Sequence, residues 1–368
     1  MRKFPFVLLF ACHHPVETDS GPADTDDTVE TDTTDTDVFA GPACTSGSTF
    51  VSWTRDGGVT VAPVTQGPSI NTYTWSIAIA DDAPDVLIAE HGGTLWRSTD
   101  AGCTFTSLGT ITSTLWDLHA IGGGEVWGHV ENGTDVLHLS GDVIEESAGP
   151  VETSLLGMTV DHGRVIVGTS SATLYERSNN NWNSLGGPPN GGNAYDWAFD
   201  PKDADRAVVG LMSDGLWWTH DGTTWHAATG ISTPTNIFSV AWSPVDADVV
   251  WAEGLDIDEM DAGAPSQGRH IWRSTDGGQS FTAVVANSAE VTLTNGLPMT
   301  PDPVDAGVVW FEFGTSFQGE GTWVYRYDHG TGAVTRAHQP TWDEFRALVF
   351  SPADPTLMYV ALVNEQIN

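Results

Sequence analysis

Apolar residues along this chain fall in short runs of strand length, broken every few positions by Gly, Pro or Asp. No stretch sustains helical spacing, and no run after residue 12 is long enough to span a membrane. The clearest unit is Trp242-Ser243-Pro244-Val245-Asp246-Ala247-Asp248-Val249-Val250-Trp251, which reads as strand, Pro-Asp turn, strand. Relatives begin at Phe199, Met299 and Phe350, with a looser one at Ile79. A second pattern repeats nearly residue for residue: Leu95-Trp96-Arg97-Ser98-Thr99-Asp100-Ala101-Gly102-Cys103-Thr104-Phe105 and Ile271-Trp272-Arg273-Ser274-Thr275-Asp276-Gly277-Gly278-Gln279-Ser280-Phe281. Weaker copies run from Trp217 to Trp225 and from Ser52 to Thr60, and degenerate ones lie near Asp142, Asn180 and Asp328. The repeat is therefore four short strands, the last two joined by a Ser-x-Asp-x-Gly hairpin.

Hairpin turns near positions 56, 100, 142, 180, 221, 276 and 328 predict an all-β fold, a single seven-bladed β-propeller of four-stranded blades. The stretches 115–149 and 155–187 have lost most of the consensus, which leaves six or eight blades open. Residues 346–352 and 356–363 supply two strands without a hairpin, and 49–54 with 59–64 supply a hairpin without preceding strands. Paired, they would close the ring and remove its exposed edges.

These hairpins resemble Asp-box propellers, the group that includes sialidases, sortilin-type receptors, xyloglucanases and photosystem II assembly factors. The resemblance covers roughly residues 48–368. It implies that Asp56, Asp100, Asp221 and Asp276 accept backbone N–H bonds within their own turns and are structural.

Composition alters the picture at the N-terminus. Arg2 and Lys3 precede the apolar run Phe4 to Phe10, and Leu9-Phe10-Ala11-Cys12 resembles a bacterial lipobox, with a plain secretory signal as the alternative. Residues 1–12 thus read as a lipoprotein signal with lipidation at Cys12, directing the chain to the outer membrane or cell surface. Residues 13–42 form an Asp/Thr-rich tether, in which the segment from Glu17 to Asp37 has nine carboxylates and no Lys or Arg. Ordering a backbone costs about 1–2 kcal/mol per residue, more than so polar a segment recovers, so a disordered linker is expected. The propeller is expected over 43–368. Export leaves Cys44 and Cys103 either as a disulfide or as two free buried thiols.

Lys+Arg number 13 against 49 Asp+Glu, a formal net charge of -36, which disfavours nucleic acid and anionic membrane surfaces. Membrane attachment is then expected only through the lipid, and the chain is expected to be a monomer.

Propellers bind ligands at the channel mouth, beside the loops that lead into the innermost strands. Those stretches hold Tyr73, Trp75, Trp116, Asp117, Tyr195, Asp196, Phe238, Trp342, Asp343 and Glu344. Aromatic faces stack on sugars or cations, and carboxylates accept hydroxyl or ammonium hydrogens; alternatively the aromatics wedge between blades as core. The loop with Asp256, Asp258 and Asp261 resembles an oxygen-ligand loop for Ca²⁺ but lacks EF-hand spacing, and a solvated acidic insertion is the favoured reading. No His/Cys cluster has zinc spacing.

Sialidases clamp the substrate carboxylate with clustered Arg residues, whereas here only Arg346 and Arg164 fall near inner strands. Xyloglucanases resemble tandem propellers with a cleft between them. The expected function is therefore a non-enzymatic binding or assembly module for a glycan or an envelope protein. The alternative is a sialidase- or xyloglucanase-like glycoside hydrolase using rim carboxylates roughly 5–10 Å apart.

Overall fold

The computed structural model describes residues 39–65, 72–150, 153–314 and 321–364. Cys12, the signal segment and residues 13–38 of the expected tether lie outside the described residues. Regular structure is almost entirely antiparallel strand; the helix among the described residues is the short Ile257–Asp261.

Five four-stranded sheets occupy 116–148, 155–186, 194–227, 235–286 and 299–339, with strands paired in chain order. A seven-stranded sheet holds two further units. One is Thr72–Ala80, Ala83–His91, Thr94–Ser98 and Thr106–Thr110. The other joins the two ends of the described chain: Glu344–Ser351 pairs with Asp354–Asn364, which pairs in turn with Val51–Thr54. Val51 lies opposite Ala361 and Thr54 opposite Met358. The chain then turns back along Val51–Thr54, where Ala62 N–H donates to the Trp53 carbonyl at 2.9 Å. The two units meet where Tyr73 pairs with Val363.

Inner strands of neighbouring sheets lie side by side, and the architecture is a β-propeller. It has six or seven blades, according to whether the seven-stranded sheet counts as one blade or two.

Burial explains the pattern of apolar positions. Core clusters lie between successive sheets or between the two units of the seven-stranded one: Trp251 and Ile271 of the 235–286 sheet pack with Val309, Phe311 and Tyr327 of the next. A second strand such as Val250–Asp256 is covered on both faces and reads as a nearly continuous apolar run. A fourth strand such as Val143–Ala148 lies at the rim, mostly exposed and polar. Cover on both faces makes a second strand mostly apolar, and the buried Glu253 within Val250–Asp256 is an exception.

Three of the Ser/Thr-x-Asp-x-Gly hairpins press against the unit before them: Gly58 against Val324, Gly102 against Tyr359 and Gly278 against Val208. Gly278 has φ +90°, and a Cβ there would stand 2.7 Å from Val208 Cγ1 of the preceding sheet. The glycine is needed both for the turn and for the approach. A Cys44–Cys103 disulfide, with Cα atoms 5.8 Å apart, secures the start of the domain to the hairpin of the 72–110 unit.

Candidate functional site

Five inner strands slip register by one residue near their start. The slips fall between Thr74 and Ser76, Leu155 and Gly157, Ala194 and Asp196, Ile237 and Ser239, and Phe345 and Ala347. A β-bulge leaves its extra residue outside the ladder and redirects its side chain. The extra residues are Trp75, Leu156, Tyr195, Phe238 and Arg346, and all five line one cavity of about 250 Å³. Asp117, His129, Glu131, Asp196 and the segment 296–299 complete its wall. Every strand unit contributes, so this is the mouth of the central channel.

Arg346 organises the charge. Its guanidinium lies over the Trp75 ring, 3.9 Å from the centroid. It reaches Glu131 Oε2 at 3.1 Å and Glu344 Oε1 at 3.5 Å. Burial works against its charge, but Glu131 and Glu344 more than offset that and raise its pKa. Burial also raises the Glu131 pKa, against the pull of Arg346. Asp196 is enclosed and bridges two sheets, accepting from Trp197 N–H and Val240 N–H, both at 2.8 Å. Burial holds its pKa well above the usual carboxylate range despite those bonds.

Behind the wall sit three buried acids at matching positions of their second strands: Glu90, Glu253 and Glu312. Glu90 Oε1 accepts from Gly93 N–H at 2.8 Å and Glu253 Oε2 from Gly296 N–H at 3.2 Å. Glu312 Oε2 takes the Thr322 hydroxyl at 2.8 Å and Phe345 N–H at 3.4 Å. Burial pushes Glu90 and Glu253 up to about 8. It raises Glu312 as well, with Glu344 adding to the effect.

Of the residues the sequence proposed for the rim, Trp75, Asp117, Tyr195, Asp196 and Phe238 line the cavity. Trp116 and Trp342 do not: both are core, fully buried or nearly so. Adjacent strand residues project from opposite faces, so Trp116 packs with Ile88, Leu118 and Leu137 while Asp117 faces the other way. Trp342 packs with Phe345 and Val360. Tyr73 stacks behind Trp75 with centroids 5.8 Å apart. Glu344 supports Arg346 from outside the lining, and the Asp343 N–H donates to the Val363 carbonyl at 3.1 Å.

Sequence reading missed His129 and Glu131, which stand at the end of a second strand rather than on a loop leading inward. Alternation along 125–131 was the available signal.

In the proposed cation loop a short helix forms. Asp256 caps the helix Ile257–Asp261, accepting from Glu259 N–H at 3.0 Å, and also takes the Ser232 hydroxyl. Among the described residues the side chains grouped as a metal site would need are instead Asp117, His119 and His129. Spacing in sequence carries no sign of this group, because strand pairing assembles it.

The four hairpin acids are engaged in their own turns. Asp100 accepts from Thr104 N–H at 2.8 Å and Asp276 from Ser280 N–H at 2.8 Å. Asp56 accepts from Thr60 N–H at 2.8 Å and Asp221 from Thr224 N–H at 2.6 Å.

No known family profile matches the chain. The curated dispase autolysis-inducing protein of Streptomyces mobaraensis is 38% identical over 349 residues, spanning 90% of this chain and 92% of its own length. Among solved structures, a chain in a crystal structure of a mitotic checkpoint complex is similar with TM-score 0.53 and 13% identity. That match covers 98% of this chain and 99% of the other, and is a likeness of fold. YCF48 from Cyanidioschyzon merolae has TM-score 0.45 and 11% identity, over 66% of this chain and 92% of its own.

Proposed function

The chain belongs to the family of the dispase autolysis-inducing protein, and we propose that it is a non-enzymatic binding module that takes a protein partner at the channel mouth. The observation that carries this reading is how the cavity acids are used. Asp196 is held by two backbone N–H groups, while Glu131 and Glu344 flank Arg346. A glycoside hydrolase needs one carboxyl to give a proton and a second left available as base or nucleophile. Asp117 lies 3.8 Å from His119 Nε2, and the other acids of its cavity, Glu131 and Asp196, are already taken up by Arg346 and by backbone N–H groups. A cavity of about 250 Å³ suits one inserted side chain better than an extended sugar chain.

The relative's name speaks of autolysis, the self-digestion of a proteolytic enzyme, so a protease is the first partner to test. In this reading the propeller has seven blades of the Asp-box type, closed by the unit that joins 51–54 to 344–364. A lipid on Cys12 and an acidic tether hold it at the cell surface.

Incubating the full chain with dispase should speed the appearance of protease fragments on a denaturing gel, and Tyr195→Ala with Phe238→Ala should slow it. Equal self-digestion with and without the chain would remove the protease as partner. Binding that survives loss of both aromatic rings would move the interface away from the channel mouth.

A further inference from the structure

We infer that Asp117, His119 and His129 form a three-ligand site for a divalent transition metal of the Zn²⁺ type in the wall of the channel mouth. Asp117 and His119 are two apart on the strand Trp116–Gly122 and share a face. His129, on Glu125–Val130, lies directly opposite Asp117 in the ladder. The two imidazoles stack with centroids 5.6 Å apart and planes 14° from parallel. One ligand atom from each of the three residues lies within 4.8 Å of the other two. Zinc bonds of about 2.0–2.2 Å in a tetrahedron put ligand atoms about 3.3–3.5 Å apart, so a small inward shift closes the site.

Two features point to a ligand beyond proximity. His129 is 1% exposed, and its Nδ1 is buried with no hydrogen-bond partner. His119 Nε2 is buried and without a hydrogen-bond partner too. Unpaired buried polar nitrogens are costly, and a metal ion held by these three residues would supply the missing partner.

The local backbone explains why the site falls in this sheet. Register runs unbroken from Trp116 to Ala120, whereas five other inner strands carry a bulge near their start. Here alone among those six strands an inner-strand acid stands opposite a histidine.

Two imidazoles and one carboxylate suit a borderline ion such as Zn²⁺ and not Ca²⁺ or Mg²⁺, which prefer all-oxygen shells. Asp117 and His129 both line the cavity. The remaining coordination position therefore faces it, open to water or to a donor group from a bound molecule. The site does not depend on the partner proposed above.

The test uses the full chain, stripped with chelator and titrated with ZnCl₂ by calorimetry, with CaCl₂ as control. One Zn²⁺ per chain is expected, with a rise in melting temperature on saturation and no response to Ca²⁺. His119→Gln and Asp117→Asn alter half-exposed side chains and should keep the fold. Each should weaken zinc binding by at least about 10–100-fold, the loss seen when even a supporting partner of a ligand is removed. In both variants the zinc-dependent rise in melting temperature should disappear. Absence of zinc binding in the wild-type chain overturns the inference. So does binding of equal strength in both variants, which would place the ion on the acidic surface.

Discussion

Asp276 shows how one side chain holds one turn. Its Oδ1 takes the Ser274 hydroxyl at 2.7 Å, Gln279 N–H at 3.0 Å and Ser280 N–H at 2.8 Å. Partial burial would raise its pKa, but the bonds from Ser280, Ser274 and Gln279 outweigh it and hold the pKa below the ordinary value. That stabilisation is present above the unfolded carboxylate pKa and is lost as pH falls through the lower folded value. Replacing Asp276 by Ala leaves donors of the turn without their acceptor, as when a helix cap is removed. The expected loss is about 1–2 kcal/mol, read from a denaturant melt of the variant against the wild-type chain. A loss no larger than that from Asp258→Ala, an exposed helical position, would deny the hairpin acids a structural role.

At the scale of elements, bulged inner strands and buried second-strand acids work together. The bulge turns Trp75, Tyr195, Phe238 and Arg346 into the channel, and the acids behind fix the segments that lead to it. Glu253 holds Gly296, which lines the cavity, and Glu312 holds Phe345, beside Arg346. Burial raises the folded pKa of Glu90 and Glu253 to about 8, against about 4.3 for an unfolded Glu. Between those values the folded chain binds more protons than the unfolded one. Their contribution is therefore complete below the unfolded pKa and is lost as pH rises through about 8. The melting temperature should be highest in mild acid and fall between about pH 5 and pH 9, and Glu253→Gln should flatten that fall. A wild-type melting temperature constant across this range would contradict the burial argument.

For the whole molecule, the unit that joins the two ends of the described chain carries the largest expected effect. Asp354–Asn364 pairs with Glu344–Ser351 on one side and Val51–Thr54 on the other, and touches the start of Thr72–Ala80. Side chains reinforce the joint: Arg55 pairs with Asp354, and Gln339 Nε2 donates to the Gly58 and Val59 carbonyls at 2.6 and 2.9 Å. The Tyr359 hydroxyl donates to the Ala101 carbonyl at 3.0 Å. Without 344–368, Val51–Thr54 would lose its ladder and the apolar faces of two neighbouring units would meet water. That deletion should abolish the cooperative melt or produce aggregates in size-exclusion chromatography, whereas deleting 13–38 should leave the melt unchanged. A monomeric, normally melting C-terminal deletion would show that the ring does not depend on this joint.

The order of strands, the hairpins and the joining of the two ends were legible in the sequence, because each rests on local chemistry repeated many times. A Pro-Asp turn needs its own few residues, and a buried strand needs an unbroken apolar run. The sequence left Cys44 and Cys103 as a disulfide or as two free thiols, and the fold brings them together as a disulfide. Which rim residues face the channel was not legible. A one-residue bulge decides whether Trp75 points inward, and the alternation of faces sends Trp116 into the core. The group of Asp117, His119 and His129 was hidden for the same reason. Its members come from two strands, and only the register of their pairing sets His129 opposite Asp117. Local chemistry settles elements, whereas a site built across strands exists only once the ladder has chosen its partners.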